Sequence, residues 1–182
     1  MRAFAIALLV GSTAFPGIAQ QFGPAENLAP YIPAPQTVVD KMLEAARVKP
    51  GDVVYDLGSG DGRIVIAAAQ KFGARAVGVE IRPDLCRKAV ERIKSLGLED
   101  RVSMVEGSAL RVDLSPANVV TMYLLTSSNE RLKPNLEKYL KPGSRVVSNE
   151  FPIQGWKPVE TVHVKTGAMD HTIYVYEIGR TR

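Results

Sequence analysis

Cysteine is almost absent: Cys86 stands alone, so no internal disulfide forms in any compartment. It lies in Pro83–Val90, where Cys86, Val90 and Ile93 share one helical face, and it reads as a small buried hydrophobe rather than a nucleophile. Histidine occurs twice, at His163 and His171, and two histidines without a third ligand make a poor metal site, so no metal is expected. There is no long run of one charge sign. Lys and Arg number 23 against 19 acids, a net charge of +4 with a pI of 9.2, yet the two signs alternate along the chain. Even the basic segment carrying Arg82, Arg87, Lys88, Arg92 and Lys94 includes Asp84 and Glu91. That pattern reads as a solvated face, and no nucleic-acid partner is expected. There is no internal repeat or low-complexity tract. With 46% hydrophobic residues over 182 positions, the collagen-like, disordered and disulfide-scaffold classes are excluded, and one domain with its own core is implied.

An apolar run of spanning length is also missing. Met1-Arg2 is followed by the apolar stretch Ala3 to Val10, which Gly11 to Phe15 continue more softly. That is far short of the ~20 residues a membrane-crossing helix needs. Gly17-Ile18-Ala19 places small residues where a signal peptidase would inspect them. Residues 1–19 are therefore expected to be a signal peptide or membrane anchor, making the protein exported (periplasmic) or membrane-tethered. A single Arg gives little orientation bias, and the side of the membrane stays open. Residues 20–36, rich in Pro, Ala and Gly, read as an extended lead-in, and residues 37–182 as the folded domain.

From Thr37 the apolar period is helical, through Val38, Val39, Met42, Leu43 and Ala46. Strands are expected at 53–57, 76–80, 101–105, 118–125, 144–148, 159–165 and 171–178. Helices are expected at 63–72, 83–96 and 130–140. Strands alternating with helices predict an α/β fold, a doubly wound and mostly parallel sheet covered on both faces. The last two strands have no helix between them, so they pair as an antiparallel hairpin at one edge.

The informative segment is Asp56-Leu57-Gly58-Ser59-Gly60-Asp61-Gly62-Arg63, at the passage from the first strand to the next helix. Such folds bind ligands at this carboxyl edge, and glycines let backbone and ligand approach closely. The spacing G-x-G-x-G differs from the G-x-G-x-x-G of dinucleotide sites. The loop is also acidic, with Asp56 before it and Asp61 within it. A pyrophosphate wants donors and positive potential, whereas carboxylates suit an ammonium or sulfonium. Glu80 closes the second strand, about 20 residues on, where a carboxylate can accept both hydrogen bonds of a ribose diol. The set describes a site for an adenosine whose 5′ substituent is cationic and carries an amino acid, and S-adenosylmethionine fits.

On these residues the chain resembles the class I, seven-stranded S-adenosylmethionine-dependent methyltransferases, from about Tyr31 to the terminal hairpin. The resemblance implies a Rossmann-like sheet of order 3-2-1-4-5-7-6 with an antiparallel strand 7. Three further stretches narrow it: Tyr31-Ile32-Pro33-Ala34-Pro35, the run Val54 to Val65, and Arg145 to Ile153 with Trp156. These look like the lysine methyltransferases that act on the ATP synthase c-ring protein and on the adenine nucleotide translocase. The resemblance implies S-adenosylmethionine as cofactor, with Gly58, Ser59, Gly60, Asp61 and Gly62 around it, Asp56 toward its amino group and Glu80 toward its ribose. Tyr31 would belong to a lead-in that closes over the methionine end. Where many members carry an acid after strand 3, this chain has Ser108, which would offer the adenine one hydroxyl acceptor.

The acceptor side is expected after strands 4 and 5. The Asn/Asp-Pro-Pro-aromatic motif of amide and exocyclic-amine methyltransferases is absent. Tyr123 reads either as lining an acceptor channel or as core with a wet hydroxyl. Glu150 is the expected orienting group for the acceptor. Phe151 and Trp156 read either as an aromatic wall for an aliphatic ammonium or as caps on the core. The expected activity is N-methyl transfer to a protein lysine, from a substrate that a tether would allow to be membrane-embedded. The alternatives are a small-molecule methyltransferase acting on a lipid or quinone precursor, and a non-catalytic adenosyl-ligand or protein-binding module. An exported enzyme would need a supply of a cofactor made inside cells. The sequence assigns no oligomeric state.

Overall fold

A computed structural model describes residues 26–181, so the expected signal or anchor segment lies outside the described residues. In chain order the elements are α1 (Gln36–Ala45), β1 (Val53–Leu57), α2 (Arg63–Phe72), β2 (Arg75–Glu80), α3 (Pro83–Ser95) and β3 (Val102–Glu106). They continue with β4 (Val119–Met122), α4 (Thr126–Tyr139), β5 (Arg145–Asn149), β6 (Glu160–Thr166) and β7 (Met169–Glu177). The seven strands form one sheet in the order β3-β2-β1-β4-β5-β7-β6. β1 to β5 pair in parallel, whereas β7 runs antiparallel to both β5 and β6. The order and the antiparallel edge match the sequence expectation.

Each face of the sheet carries its own core. Val38, Val39, Met42 and Leu43 of α1, the buried run Ile64 to Ala69 of α2 and Ile93 of α3 cover Val54, Ala76, Val119 and Val147. On the other face Leu132 and Leu136 of α4 meet Leu57, Val120, Met122 and Val146. α2 ends where the sequence punctuates it. Gly73, at φ +68°, closes the helix with its amide on Ala69 O and the Ala74 amide on Ala68 O, a pair of bonds that satisfies the last carbonyls. The β6–β7 hairpin closes through Gly167 (φ +63°) and Ala168, the glycine-first arrangement that suits a two-residue turn.

Two elements differ from expectation by more than two residues at one end. β4 stops at Met122, so Tyr123, Leu124 and Leu125 form a loop instead of finishing the strand. α4 begins at Thr126 rather than Glu130 and carries Pro134 inside it. The polar string Thr126-Ser127-Ser128-Asn129 resembles a turn, but Ser128 and Asn129 are buried and bonded. The Ser128 hydroxyl donates to Leu28 O, and the Asn129 amide donates to Phe151 O at 2.9 Å. Tertiary partners thus support a first helical turn that intrinsic propensity disfavours.

Candidate active site

The cleft opens at the carboxyl edge of the sheet, where β1 and β4 part. Its wall includes Tyr31, Asp56, Gly58, Ser59, Gly60, Asp61, Glu80 and Tyr123. The residues expected around a cofactor are therefore largely brought together. Gly62 and Ser108 stand behind the wall. Gly62 is the left-handed N-cap of α2 (φ +75°), and a Cβ there would press on Ala89 of α3 at 3.1 Å. The Ser108 hydroxyl accepts the Leu110 amide at 3.3 Å, while its neighbours Gly107 and Ala109 face the cleft.

The acids divide into two kinds. Asp61 is neutralised: Arg63 grips it with Nε and Nη2 at 2.9 and 2.8 Å, and Arg92 approaches at 3.5 Å. Against the upward push of burial, these cations hold its carboxyl below the usual range. Arg63 also donates to Ala34 O at 2.6 Å and so ties the glycine loop to the lead-in. Asp56 has no such partner. It is buried, and the Thr121 hydroxyl donates to it at 2.7 Å, but among the described residues no Lys or Arg pairs with it. Burial pushes its pKa up to about 6; the Thr121 hydroxyl pulls it down, and the charges of Glu80 and Asp61 add to the rise. Asp56, rather than Asp61, is the acid of the pocket left to meet a ligand cation.

Glu80 is already engaged. Its Oε2 accepts the Gly60 amide at 2.7 Å and its Oε1 the Arg82 amide at 2.9 Å. A carboxylate oxygen has a second lone pair, so a ribose diol can still be bound, now by an acceptor of fixed orientation. Tyr31 lies over the loop, its Cε2 only 2.5 Å from where a Cβ on Gly60 would sit. The loop can pass under Tyr31 because residue 60 has no side chain.

Tyr123 links the cleft wall to the residues that follow β5. Burial pushes the Tyr123 hydroxyl pKa up and the Glu150 charge adds to this, while its ring stacks on Phe151 with centroids 6.5 Å apart. Of the two readings of the aromatics, Trp156 belongs to the core, whereas Phe151 is outside the cleft wall and stacks on Tyr123, which lines it. Trp156 is 7% exposed, packs edge-on against Tyr176 at 5.6 Å and donates to Glu137 at 3.1 Å. Glu150 is set back from the cofactor cleft, one residue past β5. Its carboxylate lies 2.5 Å from Nδ1 of His171 on β7. The sequence reading considered His171 only as a metal ligand, because its proximity to Glu150 arises from the tertiary fold.

The donor set suits S-adenosylmethionine: an unneutralised buried carboxyl, a fixed carboxylate on the next strand, and a glycine loop closed by a tyrosine. Comparison with known proteins points the same way. A family model described as the ANTKMT methyltransferase domain matches residues 56–160. A protein-lysine N-methyltransferase of Saccharolobus islandicus is 55% identical over 151 residues, covering 82% of this chain and 94% of that protein. An adenine nucleotide translocase lysine N-methyltransferase of Mus musculus is 34% identical over 149 residues; the match takes in 82% of this chain but spans only 63% of that longer protein. The solved structure of an RNA methyltransferase from Salinibacter ruber, in complex with S-adenosyl-L-homocysteine, is 48% identical. It superposes with a TM-score of 0.76 over 81% of this chain and 94% of that one.

Proposed function

The chain belongs to the ANTKMT methyltransferase family, and on that premise we propose that it transfers a methyl group from S-adenosylmethionine to a lysine of a protein substrate. The observation that carries the reading is Asp56, a buried carboxyl facing the cleft with no cation of the described protein against it. The bound cofactor would supply an electrophilic methyl carbon on a sulfonium, which leaves as a neutral thioether. Asp56 holds the cationic amino-acid end and Glu80 the ribose hydroxyls. Tyr31 covers the glycine loop and keeps water out, so that alignment supplies most of the rate enhancement.

The acceptor enters past Tyr123 and Phe151. A lysine ammonium has no lone pair, and its reference pKa is about 10.4. An aromatic, partly dry approach disfavours the charged form and lowers that value. Glu150 orients the incoming ammonium and passes its proton to solvent. The freed nitrogen lone pair then forms the new bond to carbon, and the positive charge ends on the methylated nitrogen. The family resemblance and the relative's name support lysine over other acceptors. The apolar stretch 3–10 supports a tethered or exported enzyme, and a tether would suit a membrane-embedded substrate.

The test is to incubate the purified protein with tritiated methyl donor and cell extract, then divide the product between protease and ribonuclease. Label that is lost to protease, resists ribonuclease and appears as methyllysine on hydrolysis supports the reading. Label in RNA or in a small molecule overturns it. Cofactor binding without any transfer would leave a binding module.

A further inference from the structure

Past the last residue of β5 the chain makes a tight three-residue turn. The Phe151 amide donates back to Asn149 O at 2.8 Å, with Glu150 between them at φ +64°. This is a γ-turn of the rare positive-φ kind, strained for any residue with a Cβ. β7 and α4 hold it in place. The Glu150 amide donates to Thr172 O at 2.7 Å, and Phe151 O accepts from Ser148 Oγ at 2.6 Å and from the Asn129 amide at 2.9 Å. Such strain persists only where the surroundings over-determine it, and it gathers at functional sites.

The polar groups around this turn are incompletely satisfied. Among the described residues, buried side-chain atoms without a hydrogen bond include both amide atoms of Asn149, Oδ1 of Asn129 and Nδ1 of His171. Folded proteins leave few such atoms, and each calls for an explanation. His171 is 5% exposed, and its Nε2 is held by the Thr166 hydroxyl at 2.9 Å. Its Nδ1 stands 2.5 Å from the Glu150 carboxylate but is not aligned as a hydrogen bond. In ligand-free sites such bonds are often misaligned and tighten only when substrate arrives.

We infer that His171 is the positioning residue of the amine-receiving subsite, fixing the Glu150 carboxylate against an incoming primary ammonium at the end of β5. The inference rests on the lysine reading above. On this inference the Thr166 hydroxyl donates to Nε2, and the imidazole proton sits on Nδ1, the nitrogen beside Glu150. One carboxylate oxygen is thereby fixed, and the other is left for the ammonium. The γ-turn sets Glu150 beside His171 and near enough to Tyr123 for its charge to act on that hydroxyl.

The probe is n-butylamine, a stand-in for the lysine side chain, titrated by calorimetry and NMR into protein saturated with S-adenosylhomocysteine. Glu150→Gln and His171→Gln should each weaken butylamine binding five- to tenfold, and the double variant no further. His171→Asn, whose amide nitrogen replaces Nδ1, should stay within twofold of wild type, whereas a packing role would favour the larger Gln. Butylamine should shift the His171 imidazole resonances in the wild type and not in Glu150→Gln. S-adenosylhomocysteine affinity should be the same throughout, which also shows that each variant is folded. Additive losses, or wild-type affinity in His171→Gln, overturn the positioning role. Failure of the wild type to bind S-adenosylhomocysteine would instead defeat the methyltransferase reading, and failure to bind only butylamine would defeat the lysine reading.

Discussion

Glu80 accepts the amide proton of Gly60 at 2.7 Å, and this bond clamps the end of β2 to the turn that follows β1. A group twenty residues downstream thus holds the loop in its binding shape before any ligand arrives. Preorganisation of this kind lowers the ordering cost of binding. Glu80→Ala should leave the Gly60 and Arg82 amides without their acceptor, at a cost of about 1–3 kcal/mol in stability. It should also weaken S-adenosylhomocysteine by more than tenfold. Glu80→Gln keeps one oxygen and should lose less of both. Thermal melts and calorimetry on the three proteins measure this directly.

Asp56 makes stability and binding depend on pH in opposite ways. Burial raises its pKa from 3.8 to about 6, so the folded state favours the neutral acid. Its contribution to stability is complete below the unfolded value and is lost as pH rises through about 6. Asp56→Asn, always neutral, should melt higher than wild type at pH 8, by an amount on the order of 3 kcal/mol at most, and the gap should close toward pH 4. Binding runs the other way, because a ligand ammonium favours the carboxylate. S-adenosylhomocysteine affinity should fall as pH drops below about 6, with proton release visible as a buffer-dependent heat. Equal affinity at pH 5 and pH 8 would refute the contact.

Tyr31 and Gly60 should behave as one unit. A Cβ on Gly60 would come within 2.5 Å of the Tyr31 ring, on a backbone at φ +56°. Gly60→Ala should therefore incur the left-handed strain of about 1–2 kcal/mol and also displace Tyr31. Gly51→Ala (φ +92°, with nothing within 4 Å of its Cβ) should incur the strain alone. In a Tyr31→Ala background, Gly60→Ala should lose much of its remaining effect on cofactor affinity. Full additivity in a calorimetric cycle would show that the two do not interact.

The opposite edge of the sheet depends on Arg145. It donates to Ala46 O at 2.8 Å, to Arg47 O at 2.9 Å and to the Asp52 carboxylate at 2.8 Å. Asp52 is 5% exposed. Arg145→Leu removes the partner of a buried charge and should destabilise by about 3–5 kcal/mol in denaturant melts. Because this cluster lies far from the cleft, S-adenosylhomocysteine affinity should be unchanged at temperatures where the variant remains folded.

Much of the fold was legible because its signals are local. β1 at Val53–Leu57 and α2 at Arg63–Phe72 fall where apolar period and glycine punctuation place them. α4 was less legible. Its first turn, Thr126 to Asn129, has the composition of a loop and is helical because Leu28 and Phe151, remote in sequence, accept its hydrogen bonds. Arg63 was visible beside the glycine motif, but nothing local showed that it would neutralise Asp61 and leave Asp56 to face a ligand.

The sequence alone determined the element order, the glycine turn at the mouth of the sheet and the acidic residues around it, because periodicity, turn chemistry and charge act between neighbours in the chain. Tertiary structure alone decided which acid stays unpaired, that Trp156 joins the core while Phe151 faces Tyr123, and that His171 meets Glu150. Those outcomes depend on strand register and burial. The antiparallel pairing of β5 with β7 ends at Asn149 and Ile173, and just past that end it brings together Glu150 and His171, twenty-one positions apart in the chain. Desolvation, which raises the Asp56 pKa, exists only once the sheet has closed over it.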